Sequence, residues 1–209
     1  FFGSDIFSRN LVFVIDVSGS MAMFDQGDLK PKEAEKARVR LDRARKQLLS
    51  ALESLPKTAR FNIIAYSNKV TAWQKGLKPA SKSAIKSAGR FVKEFLARGA
   101  TYTDDALKRA FEDAEADTIV LLSDGAPTKP EFPSDFLIKQ ILKDIANRNA
   151  TRKMRINTFG FEGTGLWPDK IPGQPSGPRA IPAPNDVETF VGFMKQLAEE
   201  NHGSFKPIK

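Results

Sequence analysis

A chain of 209 residues suits a single α/β domain. Hydrophobic residues make up 41% and charged residues 28%, a globular composition that fits neither disorder nor a membrane span, and the formal charge is +8. Cysteine is absent and His202 is the one histidine, which excludes disulfides, a catalytic thiol, iron–sulfur ligation and a Cys/His zinc site within this sequence.

A bound metal would therefore be held by oxygen atoms, which points to Mg²⁺, Mn²⁺ or Ca²⁺. A Ser-His-Asp triad would have to use His202, and Glu200-Asn201-His202-Gly203 reads as a helix end rather than a base in a cleft. The longest apolar runs, Leu11–Ile15 and Ile119–Leu122, fall far short of the roughly 20 residues of a transmembrane helix. Phe1-Phe2-Gly3 leads directly into Ser4 and Asp5 with no signal-peptide pattern, and the start on Phe suggests a domain excised from a longer protein. Much of the positive charge lies between Lys30 and Lys46. Without aromatic stacking platforms, that stretch reads as a solvated helix face rather than a nucleic-acid surface.

Asn10–Asp16 (NLVFVID) is a continuous apolar run ending on a carboxylate, the pattern of a strand buried on both faces. From Pro31 the period changes. Ala34, Ala37, Leu41, Ala44, Leu48, Leu52 and Leu55 form one stripe on a long amphipathic helix that Pro56 ends. Arg60–Tyr66 is a second strand, and Lys69–Trp73 follows through so short a turn that it must run antiparallel. Ser81–Leu96 and Thr103–Asp113 read as helices flanking a Gly99-Ala100-Thr101-Tyr102 loop. Asp117–Ser123 is another buried strand, delivering Asp124 at its carboxyl end. Helix Ser134–Asn149, strand Arg155–Phe161, helix Val187–Asn201 and strand Ser204–Ile208 complete the chain. The alternation predicts a three-layer, doubly wound α/β fold, with a six-stranded mostly parallel sheet and one short antiparallel edge strand. Gly163–Pro184, rich in Pro and Gly, is an insertion after the fifth strand within one domain spanning 1–209.

Ligands of open α/β sheets bind outside the carboxyl ends of the strands where strand order reverses, so Asp16 and Asp124 are candidates for one crevice. Asp16-Val17-Ser18-Gly19-Ser20 adds two hydroxyls around a tight turn, and carboxylates with hydroxyls suit a hard octahedral cation. Taken alone this spacing is weak, because Ser and Gly are ordinary turn residues. An EF-hand calcium loop is excluded, since Met21 and Gly27 stand where Gly and Glu are required.

Three segments in order carry a more specific signal. LVFVIDVSGSM (Leu11–Met21), GATYTDDAL (Gly99–Leu107) and TIVLLSDGAP (Thr118–Pro127) resemble the three metal loops of von Willebrand factor A domains. The resemblance implies a metal-ion-dependent adhesion site at the top of the sheet. In it Ser18 and Ser20 ligate Mg²⁺ (or Mn²⁺ or Ca²⁺) directly, Thr101 directly or through water, and Asp16 and Asp124 hold metal-bound waters. Thr103 competes with Thr101 in register but also reads as the N-cap of its helix. Asp104 and Asp105 read as favourable charges in a helix's first turn.

The function implied is a metal-dependent protein-interaction or adhesion module whose partner supplies a carboxylate. The alternatives are a scaffold with a structural or absent metal and, less well matched, a Mg²⁺-dependent phosphoryl-transfer enzyme using Asp16. No acid/base pair, phosphate-binding lysine loop or nucleophile elbow supports an enzyme. Met21, Met23, Phe24, Tyr102, Ala126, Pro127 and Trp167 fall on loops expected at the metal face and form the candidate partner-binding rim, with Met23 and Phe24 equally suited to packing beneath the loop. The domain is expected to be monomeric, and the resemblance leans towards bacterial-type cell-envelope proteins rather than cytoplasmic ones.

Overall fold

The computed structural model describes residues 1–3, 8–25, 39–161, 165–166 and 184–208, of which 24–25, 165–166 and 184–187 are described by backbone alone. The elements are β1 (Asn10–Asp16), a 3-10 turn (Gly19–Ala22), β2 (Phe24–Asp25), α1 (Arg40–Glu53), β3 (Arg60–Tyr66), β4 (Val70–Ala72) and β5 (Lys78–Pro79). They continue with α2 (Lys82–Lys93), α3 (Thr103–Phe111), β6 (Thr118–Ser123), α4 (Ser134–Arg152), β7 (Arg155–Phe161), β8 (Gly165–Leu166), α5 (Pro184–Glu199) and β9 (Phe205–Ile208).

The main sheet has the order β4-β3-β1-β6-β7-β9. β1, β3, β6, β7 and β9 are parallel, and β4 is antiparallel to β3, as its short turn requires. β5, which sequence patterning did not reveal, also runs antiparallel along β3 and pairs Arg60 with Pro79. A two-residue strand containing Pro has no readable period, and an edge is where Pro is tolerated. β2 and β8 form a separate antiparallel pair. The long first helix is described only from Arg40, so its expected start at Pro31 lies outside the described residues.

Period-two alternation along β1 sends Leu11, Phe13 and Ile15 to one face, against Leu41, Ala44, Leu48 and Leu52 of α1 and Ala88 and Val92 of α2. Val12 and Val14 go to the other, with Ala106, Leu107 and Ala110 of α3, Ile141 and Ile145 of α4, and Phe193 and Leu197 of α5. Burial on both faces is why the central strands read as unbroken apolar runs. β1 sits between β3 and β6, and its register sets Ile15 opposite Leu122. Asp16 thereby comes beside Ser123, and Asp124 lies one residue past the strand. Strand order reverses between these two neighbours.

Candidate metal centre

Three loops meet above the carboxyl ends of β1 and β6. The first joins the second where the Gly19 N–H donates to the Gly99 carbonyl at 3.0 Å. The second joins the third where Thr128 N–H donates to the Thr101 carbonyl at 3.0 Å and Thr101 N–H donates to Thr128 Oγ1 at 2.9 Å. The third joins the first through side chains: Ser20 Oγ donates to Asp124 Oδ1 at 2.7 Å, and Ser123 Oγ donates to Asp16 Oδ2 at 2.6 Å.

Asp16 is completely buried, and its Oδ1 accepts the Ser18 N–H at 2.7 Å. Ser18 Oγ and Ser20 Oγ lie 3.1 Å apart. Since the Ser20 proton points to Asp124, Ser18 is the donor between them. Asp124 Oδ2 accepts Arg40 Nη1 at 2.8 Å, in a pair whose side chains are 3% and 0% exposed. Asp16, Ser18, Ser20 and Asp124 are thus one hydrogen-bonded chain, and Thr101 reaches it through the backbone of its loop.

Burial, and then the neighbouring charge of Asp124, pushes the Asp16 carboxyl up to about 7, partly offset by the bonds from Ser123 and Ser18. Burial and then the Asp16 charge likewise raise the Tyr66 hydroxyl well above its ordinary value. Two buried carboxylates destabilise each other's charge, and a cation placed beside them relieves that. The donor set fits a small divalent ion. Bonds of 2.0–2.1 Å put adjacent octahedral oxygens about 3 Å apart, close to the observed hydroxyl spacing.

Thr103 does not cap its helix as expected: Tyr102 stands at the N-cap, and Thr103 is the first helical residue. Its buried Oγ1 has no hydrogen-bond partner, and neither has the Tyr66 hydroxyl. Asp104 and Asp105 do sit in the first turn of α3, where Lys129 Nζ pairs with them at 2.7 and 3.0 Å.

The rim differs from expectation. Met21 and Met23 are buried core residues, because the 3-10 turn that lifts Ser20 towards the site folds both back beneath it. Pro127 is also buried. Tyr102 and Ala126 are half-buried, with Lys129 Nζ 4.9 Å from the Tyr102 ring centre. Trp167, the Phe24 side chain and most of the Gly163–Pro184 insertion lie outside the described residues. Among the described residues, the exposed aromatics at this face are Phe132 and Phe136, stacked with ring centres 5.2 Å apart at the start of α4. Sequence reading passed over them because Phe132 sits in a Pro-flanked loop with no period and Phe136 lies in the first turn of the expected helix, off its buried side.

Arg40 was also missed. It lies in the basic stretch expected to be a solvated face, yet it is 2% exposed. The signal was its spacing: four residues before Ala44 and eight before Leu48, it shares the buried side of α1.

Residues 32–166 match the von Willebrand factor type A domain family. The chain belongs to this family. It is 31% identical over 167 residues to inter-alpha-trypsin inhibitor heavy chain H1 of Mesocricetus auratus, a match covering 74% of this chain and 16% of that one. Heavy chain H4 of Homo sapiens is 29% identical over 175 residues, covering 78% and 17%. The VWA domain described here thus spans about a sixth of those relatives' length. Among solved structures, an aerotolerance-related membrane protein from Bacteroides fragilis superposes with a TM-score of 0.67 at 14% identity, over 97% of this chain and 92% of that one. A von Willebrand factor type A protein from Catenulispora acidiphila gives 0.63 at 18% identity, over 96% and 38%. These two likenesses show the VWA fold. Among the described residues, no helix is long and apolar enough to cross a membrane.

Proposed function

We propose that this VWA domain is a metal-dependent protein-interaction module that engages an acidic group of a partner protein outside the cytoplasm. The observation that carries the reading is the pair of neutral hydroxyls, Ser18 and Ser20, 3.1 Å apart and backed by two buried carboxylates. Ser18 and Ser20 would hold Mg²⁺ or Mn²⁺ directly, with Thr101 direct or through water. Asp16 and Asp124 would hold coordinated water and balance charge. Bound there, a divalent ion supplies an electrophilic position open to a carboxylate, because neutral ligands leave most of its charge unspent. Around it, Tyr102 and the exposed Phe132–Phe136 pair provide apolar surface for the partner. The inter-alpha-trypsin inhibitor relatives and the fold neighbour described as a membrane protein support an interaction role and an extracytoplasmic setting. Catalysis by Asp16 is disfavoured, since both its oxygens are hydrogen-bonded and it has no exposed surface.

The test is calorimetric titration of Mg²⁺ and Mn²⁺ into the wild type and into Ser18→Ala combined with Asp124→Ala. Saturable binding by the wild type, absent in the double variant, is the expected result. The melting temperature should rise with Mg²⁺ and fall back with chelator, as for any ligand that binds only the folded state. Failure of the wild type to bind either ion overturns the reading in favour of a metal-independent scaffold.

A further inference from the structure

We propose that Arg40 is a positioning residue of the metal centre: it holds Asp124 away from direct ligation and cancels its charge, so that the centre selects an anionic group. The inference rests on the metal-dependent reading above. Arg40 Nη1 bonds Asp124 Oδ2 at 2.8 Å, while Ser20 Oγ occupies Asp124 Oδ1 at 2.7 Å. Both oxygens of Asp124 are therefore committed to the protein. The guanidinium lies 3.9 Å from Met23 Sδ and 5.9 Å from the centre of the Phe161 ring, which it shares with Arg43.

Every other ion pair among the described residues has side chains at least 17% exposed, whereas this one is 3% and 0% exposed. Stability does not account for such burial, because desolvating two charges offsets most of their attraction. Charge balance does. With the ion bound beside them, the two carboxylates of the hydrogen-bonded chain, Asp16 and Asp124, carry two negative charges, and Arg40, bonded to Asp124, returns one. A divalent ion then leaves the centre with one net positive charge, which an incoming carboxylate neutralises. Without Arg40 the loaded centre would be neutral, and a carboxylate would bring an excess charge into a buried site.

The test uses Mn²⁺ alone, then Mn²⁺ with sodium acetate as the carboxylate probe against sodium chloride at equal ionic strength, all by calorimetry. Acetate should tighten Mn²⁺ binding by the wild type, and absence of that coupling overturns the proposal. Arg40→Gln and Arg40→Met, checked for folding by circular dichroism, should bind Mn²⁺ more tightly, on the order of tenfold. Both should lose the acetate coupling, and Arg40→Lys should keep it. A merely structural role would weaken Mn²⁺ binding in all three. Equal or weaker Mn²⁺ binding by a folded Gln or Met variant overturns this inference and leaves the metal reading standing. A wild type that binds no Mn²⁺ overturns both.

Discussion

Gly99 sits at φ +79°, and a Cβ there would lie 2.3 Å from Asn68 Oδ1. The left-handed backbone alone costs an L-residue about 1–2 kcal/mol, and the collision adds to it. Gly99→Ala should lower the melting temperature and weaken Mn²⁺ binding, since the Gly99 carbonyl joins the first two loops. Adding Asn68→Ala should recover the part due to collision and leave the part due to φ. At Asp16 the sign of the pH dependence follows from its raised carboxyl, which faces Asp124, Tyr66, Ser18 and Ser123. In the chelated protein the native carboxyl holds its proton up to about pH 7, while an unfolded aspartate loses it near pH 4. Between those values the folded state binds more protons, so stability falls as pH rises. Urea unfolding in chelator at about pH 5 and pH 7.5 should show that fall, and Asp16→Asn should flatten it. Asp16, Ser18, Gly99, Ser123 and Asp124 were legible in the sequence as motif members, whereas Tyr66 read only as the end of a strand. Their protonation was not, because it depends on how deeply neighbouring elements bury them.

At the scale of elements, α4 ends on Lys153 at φ +52°, a left-handed position without glycine. Lys153→Gly should stabilise the protein by about 1 kcal/mol in urea unfolding, because glycine adopts that conformation without Cβ strain. The turn is pinned by Asn149, whose amide donates to the Met154 carbonyl at 2.8 Å and to Asn201 Oδ1 at 2.7 Å, and which accepts the Met154 N–H. The stop of α4 was legible only to within a few residues, since Asn149 reads as an ordinary helix end until Asn201 is seen beside it. The apolar stripe of α1 was plain from Leu41 to Leu52. Arg40 on the same stripe was not, because a charged residue next to other charged residues is normally solvated.

Across the whole molecule, two cores flank the sheet, and the chain's first residues complete one of them. Phe1 packs edge-on against Phe159 at 4.9 Å between ring centres, and Phe2 lies 6.0 Å from Phe161. Both are half-buried. Replacing both with Ala should cost about 2–3 kcal/mol in urea unfolding, the burial of roughly one full aromatic side chain. An unchanged midpoint would mean that α1 and α2 cover this face unaided.

Local chemistry in the chain by itself determined the strand order in time, the helical stripes, the antiparallel turn into β4, and the three polar loops. Each is set by apolar period, Pro and Gly placement, and the identity of residues close in sequence. Only the tertiary structure decided what those loops become together. It set Asp16 beside Ser123 through strand register and turned Met21 and Met23 under the site. It exposed Phe132 and Phe136 and drove Arg40 onto Asp124. Those outcomes depend on pairings between residues up to about a hundred positions apart, and on the burial that the pairings create. Burial is a property of the assembled layers, so no run of neighbouring residues encodes it alone.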